Sequence, residues 1–514
     1  MNITFAYLAA ESVAIEVLSS VLKREGHNVT LVFDPGLFDD KQYLDIPILK
    51  KAFARKTDVV ERIVSDPPDL LCFSVGTDNY RWACEVARLV RDRLDVPVIF
   101  GGIHATAVPD RVIKNPFVDM VCVGEGEEAM VELASSMESG APDTSIENIW
   151  FKHDGRVIKN PVRPLVQDLD GLPYPDKELF APHIPIYHGK YMMITSRGCP
   201  FQCTYCYNNV LRRTVYGKEK KYVRQRSVES VIGELKAMKE KFEFTNVAFM
   251  DDCFVANRRW FREFSRRYAT EVGLPYSCMA YTGQVDPEMG RMLKDSGCNR
   301  MMFGIQTMDR KTREEVLKRS FETDEKIKRA IRVCDDVGIP YSLDHIFGAP
   351  FADPSEHERT AAFYAATNAI RVCCYALFYY PKTEVTGAGL EAGILDEKAV
   401  EDIEEGKARL YVYGSSLSAE ELKIFKALRN FYAVLPLLPT PVLLFLLRTG
   451  VYKGLRFMPR AFALACETAV SIKTGHQRGV DYLRYYAQHL KGTVTRHKAD
   501  TGLSGGPSKR AAGE

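Results

Sequence analysis

The sequence predicts an α/β protein in three parts: a doubly wound parallel sheet, a partial (β/α)6 barrel and an α-helical C-terminal domain. Three observations carry that expectation. From residue 1 to about 140, short apolar runs alternate with amphipathic stretches, the pattern of buried parallel strands separated by helices. Six further apolar runs recur between 191 and 380, all but the last followed by a helical pattern. After about 395 the strand signal stops, and the periodicity is helical to about 491.

In the first part the strands read "NITFAY", "NVTLVF", "LLCFSV", "VPVIF" and "DMVCV", with helices such as "SVAIEVLSSVLKREG" and "YRWACEVARLVRDRL" between them. A Rossmann-like sheet of this kind holds ligands at the carboxyl ends of its strands. Two such ends carry glycine-rich turns, "GGIHAT" (101–106) and "GEGEEA" (124–129), where backbone is able to approach a ligand closely. Residues 1–145 are therefore set down as the first domain. A linker over 146–188 follows, rich in Pro, Asp and Gly and opened by the hairpin-like "NIWFKHDGRVIKN".

The barrel strands are "YMMIT" (191–195), "NVAFM" (246–250), "YSCMAY" (276–281), "RMMFGI" (300–305), "YSLDHIF" (341–347) and "YALFYY" (375–380). They place a barrel over 189–395, with chemistry expected at its C-terminal strand ends. A helical domain spans 396–491, and the low-complexity 492–514 reads as a disordered tail. Inside the helical domain, 430–447 is uncharged and is followed by Arg448, Lys453, Arg456 and Arg460. Pro436, Pro439 and Pro441 break it into two short apolar segments. Two readings stand: a buried cap over the barrel, or a peripheral membrane contact through 430–460.

At 514 residues with 46% hydrophobic content the chain is globular, and a formal charge of +2 gives no global reason for a nucleic-acid partner. The N-terminus has no basic n-region and includes Glu11 and Glu16, so it reads as strand and helix and the expected location is cytoplasmic, or peripheral at the inner face of the membrane. Thirteen cysteines in a cytoplasmic chain argue against a disulfide framework. Cys72, Cys122, Cys278 and Cys373 sit in apolar runs as small buried hydrophobes.

Three other cysteines behave differently. "SRGCPFQCTYCYN" (196–208) places Cys199, Cys203 and Cys206 directly after the first barrel strand. Structural zinc wants four ligands, usually as two CxxC pairs, and no second pair follows. Three thiolates suit a 4Fe–4S cluster with one iron left open.

At these residues the chain resembles the radical S-adenosylmethionine (radical SAM) superfamily, whose hallmark is a CxxxCxxC loop with an aromatic residue before the last cysteine, here Tyr205. The resemblance implies that the open iron chelates S-adenosylmethionine and that its cleavage yields a 5′-deoxyadenosyl radical. By the same resemblance, S-adenosylmethionine contacts fall on Tyr205, on Asp251 and Asp252 in "FMDDCF", on Gln306 and Thr307 in "FGIQTMD", on Gly348 in "HIFGAPFAD" and on Pro381 in "YYPKTEV". Gln306 and Thr307 stand where the family commonly has Glu-Ser, and Lys382 where a glycine is expected. His345 is read as a core histidine.

The first domain resembles the cobalamin-binding domain of a large branch of that superfamily, on "FSVGTDN", "VIFGGIHAT" and "VCVGEGEEAMVELA", and "QDLDGLPYP" is similar to that branch's linker. The implied cobalamin contacts are Ser74, Gly76, Thr77, Gly101, Gly102, His104, Thr106, Gly124, Glu125 and Gly126. No histidine occupies the "AAESVAIEV" region between first strand and helix, so bound cobalamin is expected base-off without a protein imidazole.

The resemblance implies C-methylation of an unactivated carbon on a small-molecule, lipid-like or tetrapyrrole-like substrate, with flavodoxin or ferredoxin as electron donor. Two alternatives stay open: an oxidative cyclase of the anaerobic magnesium-protoporphyrin ester type, and a non-catalytic iron–sulfur redox sensor. A methylthiotransferase is disfavoured, because the first domain lacks that family's cysteine cluster.

Overall fold

The computed structural model describes residues 1–39, 46–140, 143–184, 189–217, 221–407, 417–474 and 480–490. The expected tail at 492–514 lies outside them. The described residues build two large sheets and a two-stranded ribbon. The first contains β1 (Asn2–Leu8), β2 (Asn28–Asp34), β3 (Leu70–Ser74), β4 (Val98–Gly101), β5 (Met120–Cys122), β6 (Ile149–His153) and β7 (Arg156–Lys159), in the order β2-β1-β3-β4-β5-β6-β7. The first five strands run parallel.

β3 is buried at four consecutive positions, as a strand covered on both faces must be. The helix Val13–Arg24 covers one face with Ile15, Val17, Val21 and Leu22. It starts where the Ser12 side chain accepts from the Ile15 amide and ends with Lys23 and Arg24 at its negative pole. Strand order reverses between β1 and β3, which opens a crevice at their carboxyl ends.

The hairpin that the sequence placed in the linker belongs to this sheet. β6 pairs antiparallel with β5, and β7 with β6. Its apolar alternation had an edge strand available to pair with, and Phe151 is buried there. Further along, Lys177 is buried and donates to Glu11 and Glu16, each at 2.6 Å, fastening the linker to the first helix.

The second sheet contains β8 (Lys190–Met193), β11 (Asn246–Phe249), β12 (Tyr276–Ala280), β13 (Cys298–Gln306), β14 (Tyr341–Phe347) and β15 (Arg371–Ala376), in the order β15-β14-β13-β12-β11-β8. A two-stranded ribbon of β9 (Ser196–Arg197) and β10 (Arg224–Gln225) stands apart from it. All five neighbouring pairs of the six-stranded sheet are parallel and consecutive, with β8 and β15 at its edges, so the barrel is open. Helices at Val228–Lys241, Arg258–Glu271, Pro287–Asp295 and Asp324–Val337 cover its outside, each begun by a side-chain cap: Ser227, Asn257, Asp286 and Thr323.

The sixth strand departs from the sequence expectation of 375–380. Its pairing with β14 runs from Ser342↔Arg371 to Phe347↔Ala376. β14 ends at Phe347, so the ladder between the two strands stops before the aromatic "LFYY" that follows.

In the C-terminal part, Ala419–Val434 begins with a capping box on Ser418 and Glu421 and buries Phe425, Leu428, Phe431 and Tyr432 against the barrel core. A 3₁₀ turn at Leu435–Leu437 separates it from the helix Thr440–Thr449, which is followed by a second 3₁₀ segment, Val451–Phe457. The uncharged stretch is therefore interrupted, as its prolines require. No helix among the described residues is long and apolar enough to cross a membrane. The last described helix, 480–490, returns to the first sheet, where the Tyr485 hydroxyl donates to the Pro35 carbonyl at 2.9 Å.

Candidate functional site

The cysteine loop leaves β8 and is gripped by the β9–β10 ribbon. Gly198 turns there at φ +84, and a Cβ on it would lie 2.7 Å from the Tyr222 carbonyl, so the turn requires glycine. Cys203 is buried, Cys199 and Cys206 are half-buried, and all three are free thiols. Burial pushes the Cys199 thiol up to about 12 and that of Cys206 to about 11, which suppresses the thiolate until a cation compensates it.

Donors already face two of the sulfurs. Arg319 Nη1 lies 3.5 Å from Cys203 Sγ, and Asn208 Nδ2 4.0 Å from Cys206 Sγ. The three thiols share one loop without forming a ready ligand set: among the described residues, no three His, Cys, Asp or Glu side chains converge as a metal site demands.

The structure separates the two aspartates that the sequence paired. Asp251 is buried and accepts from the Thr195 amide (3.0 and 3.1 Å), the Thr195 hydroxyl (2.8 Å) and the Ser196 hydroxyl (2.5 Å). Its carboxylate is occupied in pinning the end of β8 to that of β11. Asp252 is exposed, accepts from Asn208 at 2.9 Å and so faces the cysteine loop.

At the fourth strand end, Gln306 sits at φ +68, where the ladder to β14 shifts register. A bulky residue in that conformation is strained, and such strain gathers at ligand-facing turns. Thr307 is buried and its hydroxyl accepts from the Asp309 amide at 2.9 Å. Gly348 turns at φ +75 beneath Leu417, whose Cδ2 would lie 2.3 Å from an added Cβ. Pro381 is buried, and Lys382 adopts φ +63, so the lysine occupies the left-handed conformation that a glycine would favour. His345 lies buried within the barrel core, its Nε2 3.0 Å from His357 Nδ1.

Sequence reasoning missed Arg319. It is buried and donates to the Tyr205 hydroxyl at 3.0 Å, to the Gly304 carbonyl at 2.6 Å and to Glu322 at 2.5 Å. Glu322 in turn accepts from the Thr282 amide and hydroxyl. This buried pair ties the cysteine loop to the ends of β12 and β13. Its position on a loop far from the cysteines carries no local spacing signal.

Across from the cysteine loop lie the carboxyl ends of the first sheet, around a cavity of about 300 Å³. Ser74, Gly101, Gly102, Gly124, Glu125 and Gly126 line it, together with Val17 of the first helix, Leu172 of the linker and Ser196 and Arg197 of β9. Gly102 turns at φ +89 with the Val75 backbone 2.7 Å from any added Cβ. Gly76, Thr77, His104 and Thr106 are not among the lining residues.

Thr77 and His104 instead form a seam with the barrel: Thr77 Oγ1 is 3.0 Å from His104 Nδ1 and 2.8 Å from the Tyr207 hydroxyl. Burial lowers the His104 imidazole to about 4, so it is neutral. Thr106 Oγ1 accepts from the Gly124 amide at 3.0 Å and holds the second glycine turn in place. Glu125 completes the seam, accepting from Arg197 at 3.0 Å and from Arg224 at 2.8 and 2.9 Å.

Two family models match the chain. Residues 4–134 match the B12 binding domain family, and residues 193–364 match the Radical SAM superfamily. The chain is 27% identical over 349 residues to an uncharacterized methyltransferase of Pyrococcus horikoshii, covering 66% of this chain and 70% of that one. It is 24% identical over 380 residues to the cytidylyl-2-hydroxyethylphosphonate methyltransferase of Streptomyces wedmorensis, covering 65% and 68%. Among solved structures, the cobalamin-dependent S-adenosylmethionine radical enzyme OxsB superposes with a TM-score of 0.64 at 13% identity, over 99% of this chain and 82% of that one, a likeness of fold.

Proposed function

Because this chain belongs to the radical SAM superfamily and carries a B12-binding domain ahead of its radical SAM domain, we propose that it methylates an unactivated carbon of a small-molecule or lipid-like substrate. One observation carries the reading furthest. The glycine-rich ends of the first sheet line a cavity that Ser196 and Arg197 of β9, just ahead of the cysteine loop, also line, and a hydrogen-bonded seam through Tyr207 and Arg197 joins the two.

The residues fit the groups the two domains imply. Three free, soft thiols on one loop suit the irons of a 4Fe–4S cluster, and Gly101, Gly102, Gly124 and Gly126 present bare backbone to the cavity. When bound, the cluster with S-adenosylmethionine would supply the radical that abstracts hydrogen, and cobalamin the methyl group.

In this reading Cys199, Cys203 and Cys206 hold the cluster, and Asp252 is the aspartate left available to an ammonium group beside it. Asp251 acts by positioning. The strained Gln306, with Gly348 and Pro381, borders the same strand ends and orients S-adenosylmethionine. Ser74, Gly101, Gly102, Gly124 and Gly126 bring backbone against the corrin, while Thr77, His104 and Thr106 hold the turns that do so. With Ala9, Ala10 and Glu11 following β1, no imidazole is offered to cobalt from that loop. A one-electron donor of the flavodoxin or ferredoxin class would reduce the cluster.

The test is anaerobic reconstitution with cobalamin and S-adenosylmethionine labelled in the methyl carbon, incubated with candidate small-molecule and lipid extracts. Labelled product together with 5′-deoxyadenosine supports the reading. An unlabelled oxidised or cyclised product overturns methylation. Replacing any of the three cysteines by Ala should abolish deoxyadenosine formation while cobalamin binding persists.

A further inference from the structure

From 422 to 466 the chain has no acidic residue and seven basic ones, in a protein whose formal charge is only +2. Within that span, the helix Thr440–Thr449 and the 3₁₀ segment Val451–Phe457 pack on each other and on the barrel's outer helices through Leu443 and Tyr452, both buried. Their other side is left to solvent. Val442 and Phe445 are three residues apart on the helix, so they share a side, and Phe445 is 61% exposed; Leu438, just ahead of the helix, is exposed as well. Val451, Phe457 and Met458 are exposed in the next segment, which packs on the helix, with Phe457 77% exposed.

Cations are interleaved with these residues. Arg448 follows Phe445 by three residues, the Arg456 guanidinium lies 4.7 Å from the Phe457 ring centroid, and Lys453 stands above the Tyr452 ring while pairing with Glu358. Large aromatic and aliphatic side chains exposed side by side mark an interaction surface. Arginines whose stems lie along those side chains can keep their charge at the polar edge while the apolar tips are buried.

We propose that this face docks on the surface of an anionic lipid bilayer, with Phe445 and Phe457 entering the interfacial region and Arg448, Lys453 and Arg456 meeting phosphate groups. The charge selects this occupant over a second copy of the chain. A symmetric contact through the same face would set Arg448 and Arg456 against their copies, because the acidic groups beside the face, Glu358 and Glu420, are already paired with Lys453 and Lys423.

The experiment is co-sedimentation of the full chain with vesicles of phosphatidylcholine, with and without one-third phosphatidylglycerol, at low and physiological salt. We expect binding to the anionic vesicles only, weakened by salt. Phe445→Glu with Phe457→Glu should reduce it more than tenfold. Arg448→Gln with Arg456→Gln should reduce it about 25-fold, about fivefold for each charge removed. Both double variants alter exposed side chains, so their unfolding midpoints and iron content should match the parent's and confirm folding. Failure of the parent to sediment with anionic vesicles, or parent-like sedimentation by both variants, would overturn the proposal. So would a dimer seen by light scattering that the Phe445→Glu/Phe457→Glu variant abolishes, because it would assign the face to a second copy.

Discussion

The Tyr207 hydroxyl lies 2.8 Å from Thr77 Oγ1, joining the residue that follows Cys206 to the loop that follows β3 of the other sheet. Both side chains are buried, and Thr77 passes the contact on to His104. The cysteine loop is thus fixed against the glycine-rich turns by a neutral hydrogen-bond chain as well as by the Glu125 ion pairs. An enzyme that generates a radical at one strand-end loop and uses it toward a cofactor at another needs that registration, since a small misplacement is costly.

Tyr207→Phe removes one buried hydrogen bond and almost no volume, and Thr77 keeps its bond to His104. A net contribution of about 1 kcal/mol corresponds to roughly a fivefold effect. We expect deoxyadenosine formation to be nearly unchanged, while the yield of methylated product per deoxyadenosine falls about fivefold. Quantifying both products in one chromatogram measures the ratio, and an unchanged ratio would show that the seam does not govern alignment.

The two glycines at the end of β4, Gly101 and Gly102, should respond differently to the same substitution. At Gly102 an added Cβ would lie 2.7 Å from the Val75 amide nitrogen and 2.9 Å from its carbonyl, and φ is +89. Backbone cannot yield as a side chain can, so Gly102→Ala should cost several kcal/mol and abolish cobalamin retention. At Gly101 the nearest atom is Cys122 Cβ at 3.5 Å, ordinary contact. Gly101→Ala should therefore fold and lose less than about 1 kcal/mol. Denaturant unfolding and cobalamin absorbance after desalting distinguish the pair.

How far the sequence reached depends on how local each determinant is. β3 was legible because "LLCFS" is buried on both faces and needs no partner to identify it. The sixth barrel strand was misplaced because "YALFYY" has at least the β-propensity of "RVCCYA", and only the end of β14 decides between them. The cysteine loop was readable from spacing alone. Asp251 and Asp252 were not separable, since the groups that saturate Asp251 come from Thr195 and Ser196, more than fifty residues earlier. Arg319 was invisible for the same reason, lying 116 residues beyond the sulfur it faces.

Acid sensitivity should arise in part from the His345–His357 contact. Burial lowers His357 from 6.5 to about 4 and holds His345 well below its ordinary value. The native imidazoles stay neutral while the unfolded chain takes up protons, so their contribution is complete above pH 6.5 and is lost as pH falls toward 4. For His357 the full loss is about 3 kcal/mol. Glu356, raised by burial to about 7, acts in the opposite sense between pH 4.5 and 7, so the whole-protein curve mixes the two. The difference between parent and His357→Gln isolates the histidine. Urea unfolding at pH 7 and pH 5 should show a pH-dependent loss about 2 kcal/mol smaller in the variant, and parallel losses would refute it.

The Arg319–Glu322 pair makes a sharper prediction, because both partners are buried and each single deletion strands the other. Arg319→Met leaves the Glu322 carboxylate with only the Thr282 amide and hydroxyl to answer its charge. Glu322→Met leaves a guanidinium facing Tyr205, the Gly304 carbonyl and Cys203. Breaking a buried pair in this way costs about 3 to 5 kcal/mol, whereas replacing both partners with apolar side chains of similar volume is often neutral. The double variant should therefore be more stable than either single one, with a coupling of about 2 kcal/mol or more. If unfolding free energies of the three variants add, the pair is not the unit that holds the cysteine loop to β12 and β13. The same set would then place the restraint on the loop's other anchor, the β9–β10 ribbon.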